Sequence, residues 1–124
     1  MSTVYDEVGE EGFRELIDDF YAGVAAEPVL RPLYPPDLEP SKEHLRLFLV
    51  QYWGGPATYS EQRGHPRLRL RHMPFAIGRR ERDAWFRLMS EAVHRRNLRP
   101  AVEDALLEYF ESASLGLMNR VELT

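Results

Sequence analysis

Four histidines carry the most evident metal-binding or acid–base chemistry in this 124-residue sequence. They are His44, His65, His72 and His94. No two of them stand three or four positions apart, so the sequence lacks the ligand spacing of a helical zinc site. His72 lies between Leu70 and Met73, and a histidine in such apolar surroundings is more often packed than bound to a metal. Spacing alone therefore leaves both roles open for His72.

Aromatic side chains with polar tips form the second candidate group. Tyr21 falls beside Phe20 on the apolar stripe of one predicted helix, and Trp85 falls on the stripe of another. Buried tyrosine hydroxyls and the indole N–H need hydrogen-bond partners. Ordinary core packing explains any single ring. Several polar tips converging on one apolar interior indicate instead a small ligand with an acceptor atom.

Composition excludes several other classes of protein. The net charge of −4 provides no basic surface for nucleic acid or anionic lipid. The absence of cysteine excludes disulfides and thiolate chemistry. A hydrophobic content of 44% with 29% charged residues is typical of one folded domain. The apolar runs are too short for a membrane span and the N-terminus does not resemble a signal peptide, so we expect a cytoplasmic protein.

The first predicted helix is the clearest amphipathic element. Apolar residues recur at helical spacing over 13–24, and Pro28 should end the helix. A shorter helix is predicted over 4–8, with Gly9 and Gly12 marking the turn between the two.

Three further helices complete an all-α prediction. Ser41 should cap the second, which carries apolar residues over 45–53 and stops at Gly54-Gly55-Pro56. The third should span about 80–96, and Pro100 should open the fourth. Proline-rich residues 28–40 predict a compact loop. Residues 57–78 predict another loop, followed by a short helical turn near His72.

A continuous block over residues 51–75 resembles the signature of group II truncated hemoglobins. The block is QYWGGPATYSEQRGHPRLRLRHMPF. Residues 77–85, the Phe20-Tyr21 pair and the segment 29–35 resemble the same family, so the similarity covers about 4–119. The resemblance implies a single domain over 1–124 with the truncated globin fold, a two-over-two helical sandwich around heme.

The resemblance also implies a role for individual residues. His72 corresponds to the proximal ligand of the heme iron, bound through Nε2 while Nδ1 meets a backbone carbonyl. Tyr21, Tyr34 and Trp85 correspond to the distal cluster that stabilises the bound gas. Arg71 is the main candidate for a heme propionate, and His44 could pair with one only when protonated. The full cofactor-binding set implied is Ser41, His44, Leu45, Phe48, Leu49, Tyr59, Arg71, His72, Phe75, Ile77, Trp85 and Met89.

The function implied is reversible binding of O2 and other diatomic gases by heme b, with slow release. The alternative is a heme enzyme for NO dioxygenation or peroxide chemistry. It would need an external reductase, because 124 residues leave no room for a flavin domain. A cofactor-free helical interaction module is the third hypothesis. No nucleic-acid partner is expected, and a homodimer stays open.

Overall fold

The computed structural model describes residues 2–121, which form six α-helices, one 3-10 turn and no β-strand. The helices are α1 Val4–Ala26, α2 Glu39–Tyr52, α3 Thr58–Arg63, α4 Leu68–His72, α5 Arg79–His94 and α6 Pro100–Gly116, and the 3-10 turn is Arg31–Leu33. The all-α prediction is confirmed. None of the helices in this part of the chain is long and apolar enough to cross a membrane.

The first helix is bent where the sequence predicted a break. Gly9 interrupts α1 with φ 79° and ψ 164°, a conformation that glycine adopts without steric cost. Gly12 lies within the helix, so the predicted turn at that position is wrong. Thr3 caps the N-terminus: its hydroxyl accepts from Asp6 N–H, and the Asp6 carboxylate accepts from Thr3 N–H.

The core forms where α1 packs against α2 and α5, and α5 packs against α6. Each of these helices turns one apolar stripe inward, as the periodicity predicted. The fully buried side chains of these helices with the largest volumes are Phe13, Leu16, Ile17, Phe20, Val24, Leu49, Met89, Val93, Leu106 and Phe110. Burying such a side chain contributes about 1.5–3 kcal/mol each, so these contacts hold the helices together.

Two predictions about the middle of the chain are wrong. The second helix begins at Glu39 rather than after Ser41, because Pro40 fits in a first turn, where its missing N–H is not needed. Leu38 is the N-cap and forms no side-chain capping bond. The helix α3 was not predicted, since its six residues, with Tyr59 alone buried, are too few to show a period. The stop after α2 is confirmed.

The turn after α2 generates a stability prediction. A Cβ on Gly55 would lie 2.6 Å from Val50 Cγ1 and 2.8 Å from Tyr5 Cδ1. We expect Gly55→Ala to lower the free energy of unfolding by about 1–3 kcal/mol, measured by urea denaturation. Gly116→Ala is the matched control, because a Cβ there meets nothing within 4 Å. Equal stability of the two variants would contradict the prediction.

Candidate functional site

The helices enclose a cavity of about 320 Å³. All six contribute to its wall: Tyr21 from α1, Leu45 from α2, Tyr59 from α3, His72 from α4, Trp85 from α5 and Phe110 from α6. The volume falls within the usual range for small-molecule sites. The lining is mostly apolar and aromatic, with a few polar groups at defined places.

The structure brings almost all of the sequence-predicted site residues together here. Those lining the cavity are Tyr21, Tyr34, Ser41, His44, Leu45, Phe48, Leu49, Tyr59, Arg71, His72, Phe75, Ile77 and Trp85. Met89 is the exception, since it is 0% exposed in the core and does not line the cavity. Met89 and Trp85 stand four residues apart on one face of α5, so periodicity cannot tell which of them meets the cavity.

His72 is held by a bond within its own short helix. Its Nδ1 lies 2.6 Å from the carbonyl oxygen of Leu68, one turn earlier in α4. A carbonyl can only accept, so Nδ1 carries the hydrogen and donates it. The lone pair of the neutral ring is then on Nε2, which is the nitrogen available to a metal. His72 is half-buried at the cavity wall.

Three polar aromatic side chains share one part of the wall. The rings of Tyr21 and Tyr34 meet edge to face with centroids 5.7 Å apart. Phe20 packs edge to face on both Tyr21 and Trp85, at 5.1 Å and 5.3 Å. Burial raises the pKa of Tyr21, and it raises the pKa of Tyr34 to about 12, although hydrogen bonding with Trp85 opposes the second shift. Both tyrosine hydroxyls therefore carry a hydrogen at neutral pH, and the indole nitrogen of Trp85 carries one at any pH.

The rim of the cavity carries two arginines beside a histidine. Arg63 Nη1 lies 2.9 Å from His44 Nε2, which accepts the hydrogen bond. Burial and the nearby Arg63 and Arg71 lower the pKa of His44, so His44 is neutral at pH 7. A protonated His44 as an anion partner is therefore not favoured. Arg71 Nε donates to the Pro66 carbonyl at 2.8 Å, which holds its guanidinium at the rim.

Comparison with known proteins identifies the family. A family model described as bacterial-like globin matches residues 3–119. The chain belongs to the bacterial-like globins.

Individual relatives agree with this assignment. This globin is 38% identical over 122 residues to the group 2 truncated hemoglobin YjbI of Bacillus subtilis, covering 98% of this chain and 92% of that protein. It superposes on a hemoglobin structure from Chloroflexus aurantiacus with a TM-score of 0.95 at 53% identity, covering 97% and 100% of the two chains. The TM-score is 0.91 at 37% identity, covering 95% and 100%, for a truncated oxygen-avid haemoglobin from Bacillus subtilis. The predicted truncated globin fold is confirmed.

Several wall residues of this globin do not follow from the sequence patterns. Arg63 was not singled out, although its position in the quoted 51–75 block was a usable signal. The α6 wall was also missed, because its apolar period cannot distinguish core from cavity. This wall consists of Tyr109, Phe110, Ala113, Ser114 and Leu117 near the C-terminal end of the helix. Arg82 of α5 closes that side by donating from Nε to the Ser114 hydroxyl at 3.0 Å.

Burial of Tyr34 predicts a loss of stability in alkaline solution. Tyrosine in an unfolded chain has a pKa of about 10, whereas burial raises the pKa of Tyr34 to about 12. Between these values the unfolded chain releases a proton that the folded globin keeps. The free energy of unfolding then falls with rising pH, by at most about 1.4 kcal/mol per pH unit for this group.

The variant Tyr34→Phe tests this prediction. Between about pH 8 and about pH 11, we expect the free energy of unfolding to decrease less in this variant than in the wild type, as measured by urea denaturation. The value at the lower pH serves as the internal control, because it contains only the packing effect of the lost hydroxyl. An unchanged slope would mean that Tyr34 ionises as freely in the folded chain as in the unfolded one.

Proposed function

We propose that this globin holds heme b in the cavity and binds O2 reversibly, with His72 as the iron ligand. The observation that carries the proposal is one cavity in which His72 keeps Nε2 available while Tyr21, Tyr34 and Trp85 present hydrogen donors. The names of its relatives support the same function, since they are hemoglobins and one is called oxygen-avid.

The residues of the cavity suit heme in three respects. Within residues 2–121, no group of three His, Cys, Asp or Glu side chains could hold a metal ion, so a metal bound by His72 needs ligands from its own cofactor. The buried Arg63 Nε has no hydrogen-bond partner in this part of the chain, and a carboxylate at the cavity rim would satisfy it. The chain has no cysteine for thioether attachment, which favours non-covalent heme b.

The two polar regions of the cavity wall have different roles: one would hold the cofactor and the other would bind the gas. Heme, when bound, supplies an iron with a coordination position for a diatomic ligand. His72 would hold that iron, and Arg63 and Arg71 at the rim would supply positive charge for the propionates. Leu45, Phe48 and Leu49 of α2, of which the last two are buried, keep the wall apolar, and exclusion of water strengthens every hydrogen bond inside.

The distal donors determine how long the gas stays. Each hydrogen bond from Tyr21, Tyr34 or Trp85 to an oxygen that carries partial negative charge contributes about 1–3 kcal/mol. A tyrosine with its ordinary pKa of about 10 is already protonated at physiological pH, and burial raises the pKa of both tyrosines further, so their donor function persists there. We therefore propose high O2 affinity with slow release; among carrier, store and scavenger, slow release suits a store or scavenger of O2.

Removal of the proposed iron ligand gives a direct test. We expect His72→Ala to lose the Soret band that the wild-type protein acquires when heme is added, because Nε2 is lost. His65→Ala is the matched control, since His65 is exposed and does not line the cavity. Far-UV circular dichroism checks that both variants fold. Heme binding by His72→Ala with an unchanged spectrum would contradict the assignment.

Removal of one distal donor tests the release mechanism. We expect Trp85→Phe to speed O2 dissociation by about tenfold or more, since a lost hydrogen bond of about 1.4 kcal/mol corresponds to tenfold. Stopped-flow displacement of O2 measures the rate. Trp53→Phe is the control, because the Trp53 indole does not line the cavity. An equal rate in wild type and Trp85→Phe would remove Trp85 from the mechanism.

A further inference from the structure

The segment that carries His72 has few apolar anchors. The helix α4 has five residues and buries none of them. Residues 64–77 contain no buried side chain, and Met73 and Phe75 are 61% and 41% exposed. Leu68, which is partly buried, is the side chain of this segment that packs against the core, so core packing contributes little to the position of the residues after it. Its hydrogen bonds must supply most of the constraint.

Asn119 provides the main tertiary hydrogen bonds to this segment. Its Nδ2 donates to the carbonyl of His72 at 3.2 Å and to the carbonyl of Phe75 at 2.8 Å. Its Oδ1 accepts from the N–H of Ile77 at 2.9 Å. One side-chain amide thus uses both of its donors and its acceptor on three backbone groups, one at the last residue of α4 and two after it.

The backbone at Asn119 and Arg120 adds two hydrogen bonds to the same segment. The N–H groups of Asn119 and Arg120 both donate to the carbonyl of Ile77, at 2.8 Å and 3.1 Å. These bonds join the segment after α6 to the residues just before α5. The carbonyl of His72 is therefore tied to a part of the chain 47 residues away.

We propose that Asn119 is a positioning residue for His72. The inference rests on the proposed function, since it assumes that His72 binds the heme iron. The bond from His72 Nδ1 to Leu68 sets the rotation of the ring, and Asn119 holds the backbone from which the ring projects. Aspartate has nearly the same shape as asparagine but lacks the two donors, so it would turn carboxylate oxygen towards the His72 and Phe75 carbonyls.

The first test uses the heme-free protein. The N–H of Ile77 donates to Asn119 Oδ1, so its rate of amide hydrogen exchange reports whether this bond is formed. We expect Asn119→Ala to exchange Ile77 N–H at least tenfold faster than wild type. Thr3→Ala is the matched control, because it removes a side-chain bond to backbone at the start of α1, outside the cavity wall. Equal protection of Ile77 in wild type and Asn119→Ala would overturn the proposal.

The second test measures the iron–histidine bond in the heme-loaded protein. We expect Asn119→Ala and Asn119→Asp to shift or broaden the iron–histidine vibration in the resonance Raman spectrum. They should also release heme to an acceptor globin at least tenfold faster. Thr3→Ala should lose thermal stability and leave the vibration unchanged.

The outcomes separate this inference from the proposed function. If the Asn119 variants lose only thermal stability, as Thr3→Ala does, Asn119 is structural and the positioning role is wrong. If wild-type protein shows no iron–histidine vibration, the proposed function fails and the positioning role fails with it. A normal wild-type vibration that persists unchanged in both Asn119 variants overturns the positioning role alone.

Discussion

A chain of 124 residues must enclose a cavity of about 320 Å³ without losing the contacts that hold its helices together. Edge-to-face aromatic packing meets this constraint. Trp85 contacts both Phe20 of α1 and Phe110 of α6, with centroids 5.3 Å and 5.8 Å away. Phe48 contacts Tyr59 at 5.6 Å, which joins α2 to α3. Large rigid rings bury area in the core on one side and form a wall on the other, so one set of side chains serves both purposes.

The two sides of the site are held by different forces. Tyr21 and Trp85 lie on long helices whose stripes are buried in the core, so hydrophobic packing fixes the donors. His72 lies on a five-residue helix with no buried residue, and hydrogen bonds to the backbone set its place. Burial raises the pKa of both tyrosines, and burial with the nearby Arg63 and Arg71 lowers the pKa of His44. The positive charge at the cavity rim therefore comes from Arg63 and Arg71.

Local patterns predicted the helices well where they are long and failed where they are short. The stripe over 13–24 and the stop at Gly54-Gly55-Pro56 correspond to real features of α1 and α2. The helix α3 is not predicted, because a six-residue element is too short to show a helical period. The sequence predicts Ser41 as a cap because serine favours that position, whereas Pro40 permits the helix to start earlier.

The sequence by itself determined the fold class and, through its resemblance to truncated hemoglobins, the cavity residues from Tyr21 to Trp85. The fold class follows from residue type and short spacing, which are local properties of the chain, whereas the cavity residues follow from the resemblance. Only the tertiary structure placed Met89 in the core rather than in the cavity wall, and brought Arg63 to His44 and Asn119 to His72. Those contacts join residues 19 and 47 positions apart. No local pattern encodes them, because they depend on how whole helices pack.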